Sequence, residues 1–217
     1  MLVKDYMTKH PLMVQRTMPV IEAQRFMGEN NIRHLPIIGK GKRLLGLATR
    51  QTLLVQPATL GSLNVWEITR FLSNLTIGDV MVKAEDIITI EKDATVEEAA
   101  RIMVENKIGC LPVLEDSIVV GIITEIDLLA QLMEMLATRL PGVRVTVRMP
   151  DQKGELAKLV SAISAQGWGI LACGGSPALK DPTKWDAVIK IRNVPQEEIV
   201  AALEKIEGQE IMDVREV

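Results

Sequence analysis

Two stretches of this 217-residue chain place a hydroxyl where a strand would hand over to a helix. One reads Gly121-Ile-Ile-Thr124-Glu-Ile-Asp127, the other Gly46-Leu-Ala-Thr49-Arg-Gln-Thr52. Two kinds of chemistry fit a Thr followed three residues later by an Asp. In one, Thr124 caps the helix and Asp127 complements its dipole. In the other the same groups act outward: a helix N-terminus and a hydroxyl receive a phosphate, and a carboxylate accepts hydrogen bonds from sugar hydroxyls. Thr52 stands where the first stretch has Asp127, and a hydroxyl bonds a sugar without charge assistance. Glu125 repels phosphate, whereas Arg50 at the matching position attracts it.

Elsewhere the residue types that carry catalysis are sparse. His10 falls in a polar N-terminal loop; His34 precedes a buried strand, where ligand contact and plain packing are both open. Cys110 and Cys173 stand 63 residues apart with no CxxC or Cys/His cluster, so no zinc site is expected. Cys110, between Gly109 and Leu111, reads as a small core hydrophobe. The sequence has no Ser/His/Asp set, G-x-S-x-G, P-loop or GxGxxG pattern. No catalytic residue, metal or required cofactor is expected.

The two turns belong to an internal repeat. Met7 and Met81 are 74 residues apart, Gly46 and Gly121 75, Pro36 and Pro112 76. VIEAQRFMGENNIRHLPII followed by LLGLATRQTLL matches VEEAARIMVENKIGCLPVL followed by VVGIITEIDLL. Each copy reads helix, strand, strand, helix. Val96, Ala99, Ala100 and Met103 recur at helical spacing behind a Thr95–Glu98 capping box, and Pro19 opens the matching helix. The LPII and CLPVL runs are short buried strands; Ile118 to Thr124 is a strand turning into a helix from Glu125 to about Arg139. Residues 55–75 form a linker with one short helix at Val65 to Leu72.

Aromatic residues make up 3% of the chain and the net charge is −3. The chain therefore has neither stacking platforms nor a basic footprint for nucleic acid. Hydrophobic residues at 47% and charged residues at 24% fit a globular protein with an aliphatic core. No run approaches the ~20 apolar residues of a membrane helix, so a cytoplasmic protein with no membrane partner is expected. Charge divides between the copies. Residues 1–75 carry ten Lys and Arg against four Asp and Glu; residues 76–139 carry five against thirteen. Two solvated faces and electrostatic complementarity of the copies, within a chain or across a dimer, both fit.

The repeat, the Pro-containing strands and the G-h-h-T-x-x-D turn together resemble tandem CBS domains, the Bateman module, over residues 1–139. The resemblance implies CBS domain 1 over 1–56, a linker over 57–75 and CBS domain 2 over 76–139. It implies an α/β fold of two pseudo-symmetric halves around a cleft for up to two adenosine-type ligands such as AMP, ADP, ATP or S-adenosylmethionine. By it Asp127 would bind ribose and Thr124 phosphate, while Ile88, Thr89, Gly109 and Pro112 would line an adenine pocket. Thr49 and Arg50 would face phosphate near Arg33 and His34, with Thr52 at the second ribose position.

Pro141-Gly142 punctuates the chain, and residues 142–217 read strand, helix, strand, strand, helix, strand. That order is the ferredoxin-like βαββαβ plan, α+β in character. Val143, Val145, Val147 and Met149 alternate with polar residues, and Gly174-Gly175-Ser176-Pro177 marks a turn. Asp151-Gln-Lys-Gly154-Glu-Leu156 resembles the D-x-P-G-x-L loop of ACT domains, which sense amino acids and dimerise. The resemblance implies an amino-acid site at Asp151, Gly154 and Leu156, although Lys153 replaces the family's Pro and Gly169 an Asn. Sensing and dimerisation both stay open for this domain.

A CBS pair followed by an ACT domain resembles the AcuB-type acetoin-utilisation proteins. This implies a non-enzymatic, homodimeric regulator that binds an adenosine nucleotide, with an ACT domain that dimerises or binds an amino acid, and that acts on an unknown protein. A structural dimerisation protein with empty clefts is the other reading.

Overall fold

The chain opens with a short helix, α1 (Val3–Tyr6), and a two-residue strand, β1 (Thr8–Lys9). α2 (Val20–Glu29), β2 (His34–Ile38) and β3 (Leu44–Thr49) complete the first copy's regular elements before α3 (Val65–Asn74). The second copy follows as α4 (Ile77–Val80), β4 (Val82–Lys83), β5 (Ile90–Glu91), α5 (Val96–Asn106), β6 (Cys110–Glu115), β7 (Ile118–Thr124) and α6 (Glu125–Met135). The computed structural model describes residues 1–54 and 64–217. They form two units, Met1–Leu128 and Leu129–Val217. Of the linker expected over 57–75, α3 is its helix and begins at a full capping box. Asn64 accepts from the Glu67 N–H at 3.0 Å, and Glu67 accepts from the Asn64 N–H at 2.8 Å. The rest of that linker, 57–63, lies outside the described residues. Among the described residues no helix is long and apolar enough to cross a membrane.

The helices obey their apolar spacing. α2 buries Val20, Ala23 and Met27, and α5 buries Val96, Ala99 and Met103. Thr95 caps α5, accepting from the Glu98 N–H at 3.1 Å. The backbone on either side of Thr95 is engaged by the chain start: Val3 N–H donates to Ala94 O and Val96 N–H to Met1 O.

Those last bonds reveal an exchange between the copies. α1 precedes the first copy, yet Val3 is fully buried in the core of the second, with Ile90, Ala99, Leu111 and Ile123. α4 precedes the second copy, yet Ile77 is fully buried in the core of the first, with Val20, Leu35, Ala48 and Leu53. The sheets repeat the pattern. β1 pairs antiparallel with β7, Thr8 opposite Ile122; β4 pairs with β3, Val82 opposite Leu47. Each buried aliphatic side chain of this size contributes about 1.5–3 kcal/mol, so the exchanged residues tie each copy into the other.

The exchange explains the repeated glycines. A Cβ on Gly121 would meet Met7 Sδ at 2.2 Å, and one on Gly46 would meet Met81 Sδ at 2.4 Å. The paired methionines and the paired glycines of the repeat are therefore contacting partners, each Met lying on the other copy's glycine.

In the second unit, β8 (Val143–Pro150), α7 (Glu155–Ala165), β9 (Gly169–Ala178), β10 (Asp181–Arg192), α8 (Gln196–Leu203) and β11 (Glu210–Glu216) follow the expected βαββαβ order. The sheet is antiparallel with spatial order β11-β8-β10-β9. Val143, Val145, Val147 and Met149 face a core shared with Leu159, Ile163, Ile189, Ile191, Ile199 and Leu203. The expected turn at Gly174–Pro177 is instead part of β9, whose register with β10 runs past Gly175 opposite Ala187. Its glycine serves a close approach: a Cβ on Gly175 would meet Trp185 Nε1 at 2.3 Å.

Candidate functional site

The two strand-to-helix turns take equivalent places in the first unit. His34 is paired across its hairpin with Thr49, and Cys110 with Thr124. Arg50 N–H donates to Arg33 O at 3.2 Å, and Glu125 N–H to Gly109 O at 3.1 Å. Thr124 and Asp127 close a reciprocal cap. Thr124 Oγ1 donates to Asp127 Oδ2 at 2.7 Å, and the Thr124 N–H reaches the same oxygen at 2.8 Å. In the first copy Thr52 does the equivalent work with a hydroxyl. It accepts from the Thr49 N–H at 2.9 Å, and its own N–H donates to Thr49 Oγ1 at 3.1 Å. The capping chemistry is thus present in both turns. Only the second adds a carboxylate, whose Oδ1 has no hydrogen-bond partner among the described residues.

Each turn borders a cavity. The first, about 590 Å³, is lined by Thr124, Asp127, Ile122 and Ile126 together with Thr8, His10, Pro11, Leu12, Asn31, Ile32, Arg33, His34 and Arg50. The second, about 570 Å³, is lined by Thr49, Arg50, Gln51 and Leu47 together with Val82, Asp86–Ile88, Asn106–Cys110, Arg33, His34 and Glu125. Both volumes fall in the range of small-molecule sites. Between them, Leu47 of the first copy packs with Cys110 and Ile122 of the second, with Ile87 against that cluster.

The grouping expected from sequence is partly rearranged. Ile88 and Gly109 line the cavity of Thr49 and Arg50, not that of Asp127 and Thr124. Strand exchange is the cause: β4 runs beside β3 and carries Val82–Ile88 to the first copy's turn, while β1 runs beside β7 and carries Thr8–Leu12 to Asp127. Thr89 is half-buried and Pro112 buried within β6; neither lines either cavity. Thr52 is held in its own turn by Thr49. Arg33, His34 and Arg50 border both cavities.

His10, Pro11, Leu12, Ile32 and Ile122 are cavity residues that reading the motifs alone passed over. A signal for Leu12 exists. Val14 bridges Ile37 in parallel as Ile90 pairs in parallel with Val113, so Leu12 occupies the place of Ile88. A two-residue difference between the copies hides that equivalence in the sequence.

The electrostatics are asymmetric. Arg33 Nη2 lies 3.5 Å from Glu125 Oε1. Burial lowers the His34 pKa from its ordinary 6.5, the Arg33 charge lowers it further and Glu125 opposes both; the imidazole is a neutral donor and acceptor near neutral pH. Burial, with help from Glu125, pushes the Cys110 thiol up to about 12, so it stays protonated and unreactive. Among the described residues no group of three or more His, Cys, Asp or Glu could hold a metal.

In the second unit Gly154 takes a left-handed φ of 94° as the N-cap of α7. Asp151 is exposed, its N–H donating to Thr183 O at 2.9 Å, and Leu156 is 43% exposed. The buried polar residue beside them is Glu155. It accepts from Lys158 at 2.5 Å and from Gln209 at 3.2 Å, and both hold its carboxyl below the usual range.

The CBS domain model matches residues 3–57 and 77–134. The crystal structure of AcuB from Vibrio cholerae, described as an acetoin utilization protein, is similar with a TM-score of 0.53 and 30% identity. That match covers 64% of this chain and 96% of the other. L-aspartate semialdehyde sulfurtransferase of Methanocaldococcus jannaschii is 30% identical over 130 residues, 58% of this chain. Inosine-5'-monophosphate dehydrogenase of Korarchaeum cryptofilum is 35% identical over 121 residues, 55% of this chain. The match spans 22% of each of these two enzymes. Family match, internal repeat and paired turns coincide on the same residues, and the chain belongs to the CBS domain family, carrying two copies as a pair.

Proposed function

We propose that the CBS pair is a regulatory sensor for adenosine-type nucleotides. The observation that carries this reading is the pair of related cavities, each bordered by a hydroxyl-bearing helix turn and both by Arg33 and Arg50. The free oxygen of Asp127 suits a ribose diol, the arginines suit phosphate, and Leu12 and Ile88 supply apolar walls for a base. Because each cavity joins elements of both copies, a bound ligand contacts both. It favours one arrangement of the copies by the difference in its affinity for the alternatives. The sulfurtransferase and the dehydrogenase contain a region of this type as a minor part of their length, which supports a regulatory role rather than a catalytic one.

Residues 142–217 are proposed as an ACT-type domain that dimerises the chain or senses an amino acid through Asp151, Gly154 and Leu156. Assembly as a homodimer is supported by α6, on which Ile126, Leu129, Leu132, Met133 and Met135 are 45–55% exposed; such a run of exposed aliphatics fits a covered interface.

Calorimetry of the full chain with adenosine, AMP, ATP and S-adenosylmethionine tests the sensor reading. Saturable binding of at least one phosphorylated or sulfonium ligand, tighter than adenosine, is expected. Absence of binding by all four at millimolar concentration would leave the clefts as structural features of a dimerisation protein.

A further inference from the structure

On the sheet of the second unit, β10 sends Ala187, Ile189 and Ile191 under the helices and Asp186, Val188 and Lys190 to the opposite face. A lysine on an open sheet face ordinarily keeps its ammonium in water. Lys190 is instead only 4% exposed. The chain just beyond α6 crosses it, and Nζ donates to Ala137 O at 3.0 Å. That bond uses one of three ammonium donors. Among the described residues no carboxylate lies within 4.0 Å of Nζ.

The nearby acids are already committed. Arg148 holds both oxygens of Asp186, at 2.7 and 2.8 Å. Asp213 accepts from Arg144 at 2.9 Å and from Arg215 at 2.5 Å. Buried charge is tolerated when it is paired, so Lys190 stands out as a charge without a counter-ion. Beside it is a cavity of about 610 Å³, bordered by Lys190, Arg144, Thr146, Ser176, Leu136 and Val188 among others.

We propose that this cavity binds a small organic monocarboxylate, its carboxylate paired with Lys190 and its carbon chain against Leu136 and Val188. Lys190 is the cation of this wall with no carboxylate partner of its own, since Arg148 holds Asp186 and Arg144 shares Asp213 with Arg215, and a ligand carboxylate supplies that partner. The aliphatic wall calls for carbon rather than an inorganic ion, and Thr146 and Ser176 offer hydroxyls to the remaining carboxylate lone pairs. The site is separate from the nucleotide cleft, and Asp151, Gly154 and Leu156 do not border it.

The test titrates the full chain with sodium butyrate, with butyramide as the uncharged isostere and with inorganic phosphate, read by calorimetry and thermal shift. Butyrate is expected to bind saturably and raise the melting temperature, while butyramide and phosphate do neither. Lys190→Met keeps the aliphatic stem, removes a buried charge and weakens butyrate by about tenfold or more. Gly174→Leu is the second variant: a Cβ there meets nothing within 4 Å, so the side chain fills the cavity and blocks butyrate even if Lys190→Met fails to fold. The proposal is overturned if wild type ignores butyrate at tens of millimolar, if butyramide or phosphate acts equally, or if both cavity variants bind butyrate unchanged.

Discussion

Arg33 Nη2 stands 3.5 Å from Glu125 Oε1, the two side chains each about half exposed. An exposed pair of this kind is itself worth only about 0–1 kcal/mol. On the proposed function it should matter more for a bound phosphate than for stability, because Arg33 borders both cavities and Glu125 stands beside it. Glu125→Gln frees that guanidinium and removes a carboxylate that repels phosphate. Affinity for ATP should rise severalfold while affinity for adenosine stays level. The same change should lower the His34 pKa further, since Glu125 is the group that raises it. Calorimetry and imidazole NMR titration check the two effects; equal tightening of ATP and adenosine would remove the electrostatic account.

Asp127 closes the cap on Thr124 through Oδ2; on the proposed function its Oδ1 would accept from a ribose hydroxyl. Asp127→Ala should therefore cost about 0.5–2 kcal/mol of stability from the cap. It should also cost roughly 1.5–3 kcal/mol of nucleotide binding from the charge-assisted bond, a tenfold to hundredfold loss. Urea unfolding measures the first loss and calorimetry the second. A variant that loses stability but binds AMP as tightly as wild type would mean that Asp127 is a cap alone.

The two glycines under the methionines should not be equal. At Gly121 the atoms within 3.1 Å of an added Cβ are all in the flexible Met7 side chain. At Gly46 the backbone oxygen of Val82 also lies 2.8 Å away. Gly46→Ala should fall toward the upper end of the ~1–3 kcal/mol typical of overpacking, and Gly121→Ala toward the lower. Met7→Ala should rescue Gly121→Ala, whereas Met81→Ala should rescue Gly46→Ala only in part. Denaturant midpoints of the four single and two double variants decide this.

Glu155 gives the second unit a pH dependence of known sign. Lys158 first, then Gln209, depress its folded pKa below the ordinary 4.5. The folded state thus prefers the carboxylate. The stabilisation is fully present above 4.5 and is lost as pH falls through the depressed folded value. Trp168 and Trp185 lie in this unit and report its unfolding. The gap in urea midpoint between wild type and Glu155→Gln should narrow from about pH 6 to about pH 3; a constant gap would remove Glu155 as its source.

The long elements were legible because periodicity is local. Val96, Ala99 and Met103 announce α5, and the valines of β8 announce a half-buried strand, without knowledge of anything distant. The first and fourth helices were not legible: Val3–Tyr6 and Ile77–Val80 are four residues each, too short to show a period, and what orders them is burial in the other copy. That exchange also decides which walls meet which turn, so Ile88 and Gly109 could be chosen as cavity residues from motif and still be grouped with the wrong carboxylate. Within Gly174–Pro177, whose composition is that of a turn, Gly175 is required by a distant residue, Trp185, which needs the room above it. The polar alternation of β10 places Lys190 outward but gives no sign that the chain after α6 covers it.

The exchanged segments also bear on how this fold can be made and inherited. Val3 is sealed beneath Ala94 and Ile77 donates its N–H to Met18 O, so a ribosome that has finished only the first copy has made neither core. Folding of the two cores waits for contacts about sixty and about ninety residues apart, so long loops must close before those contacts form. A gene fragment encoding one copy would yield a chain that completes itself only by borrowing from a second molecule, so that single copies would swap segments and associate.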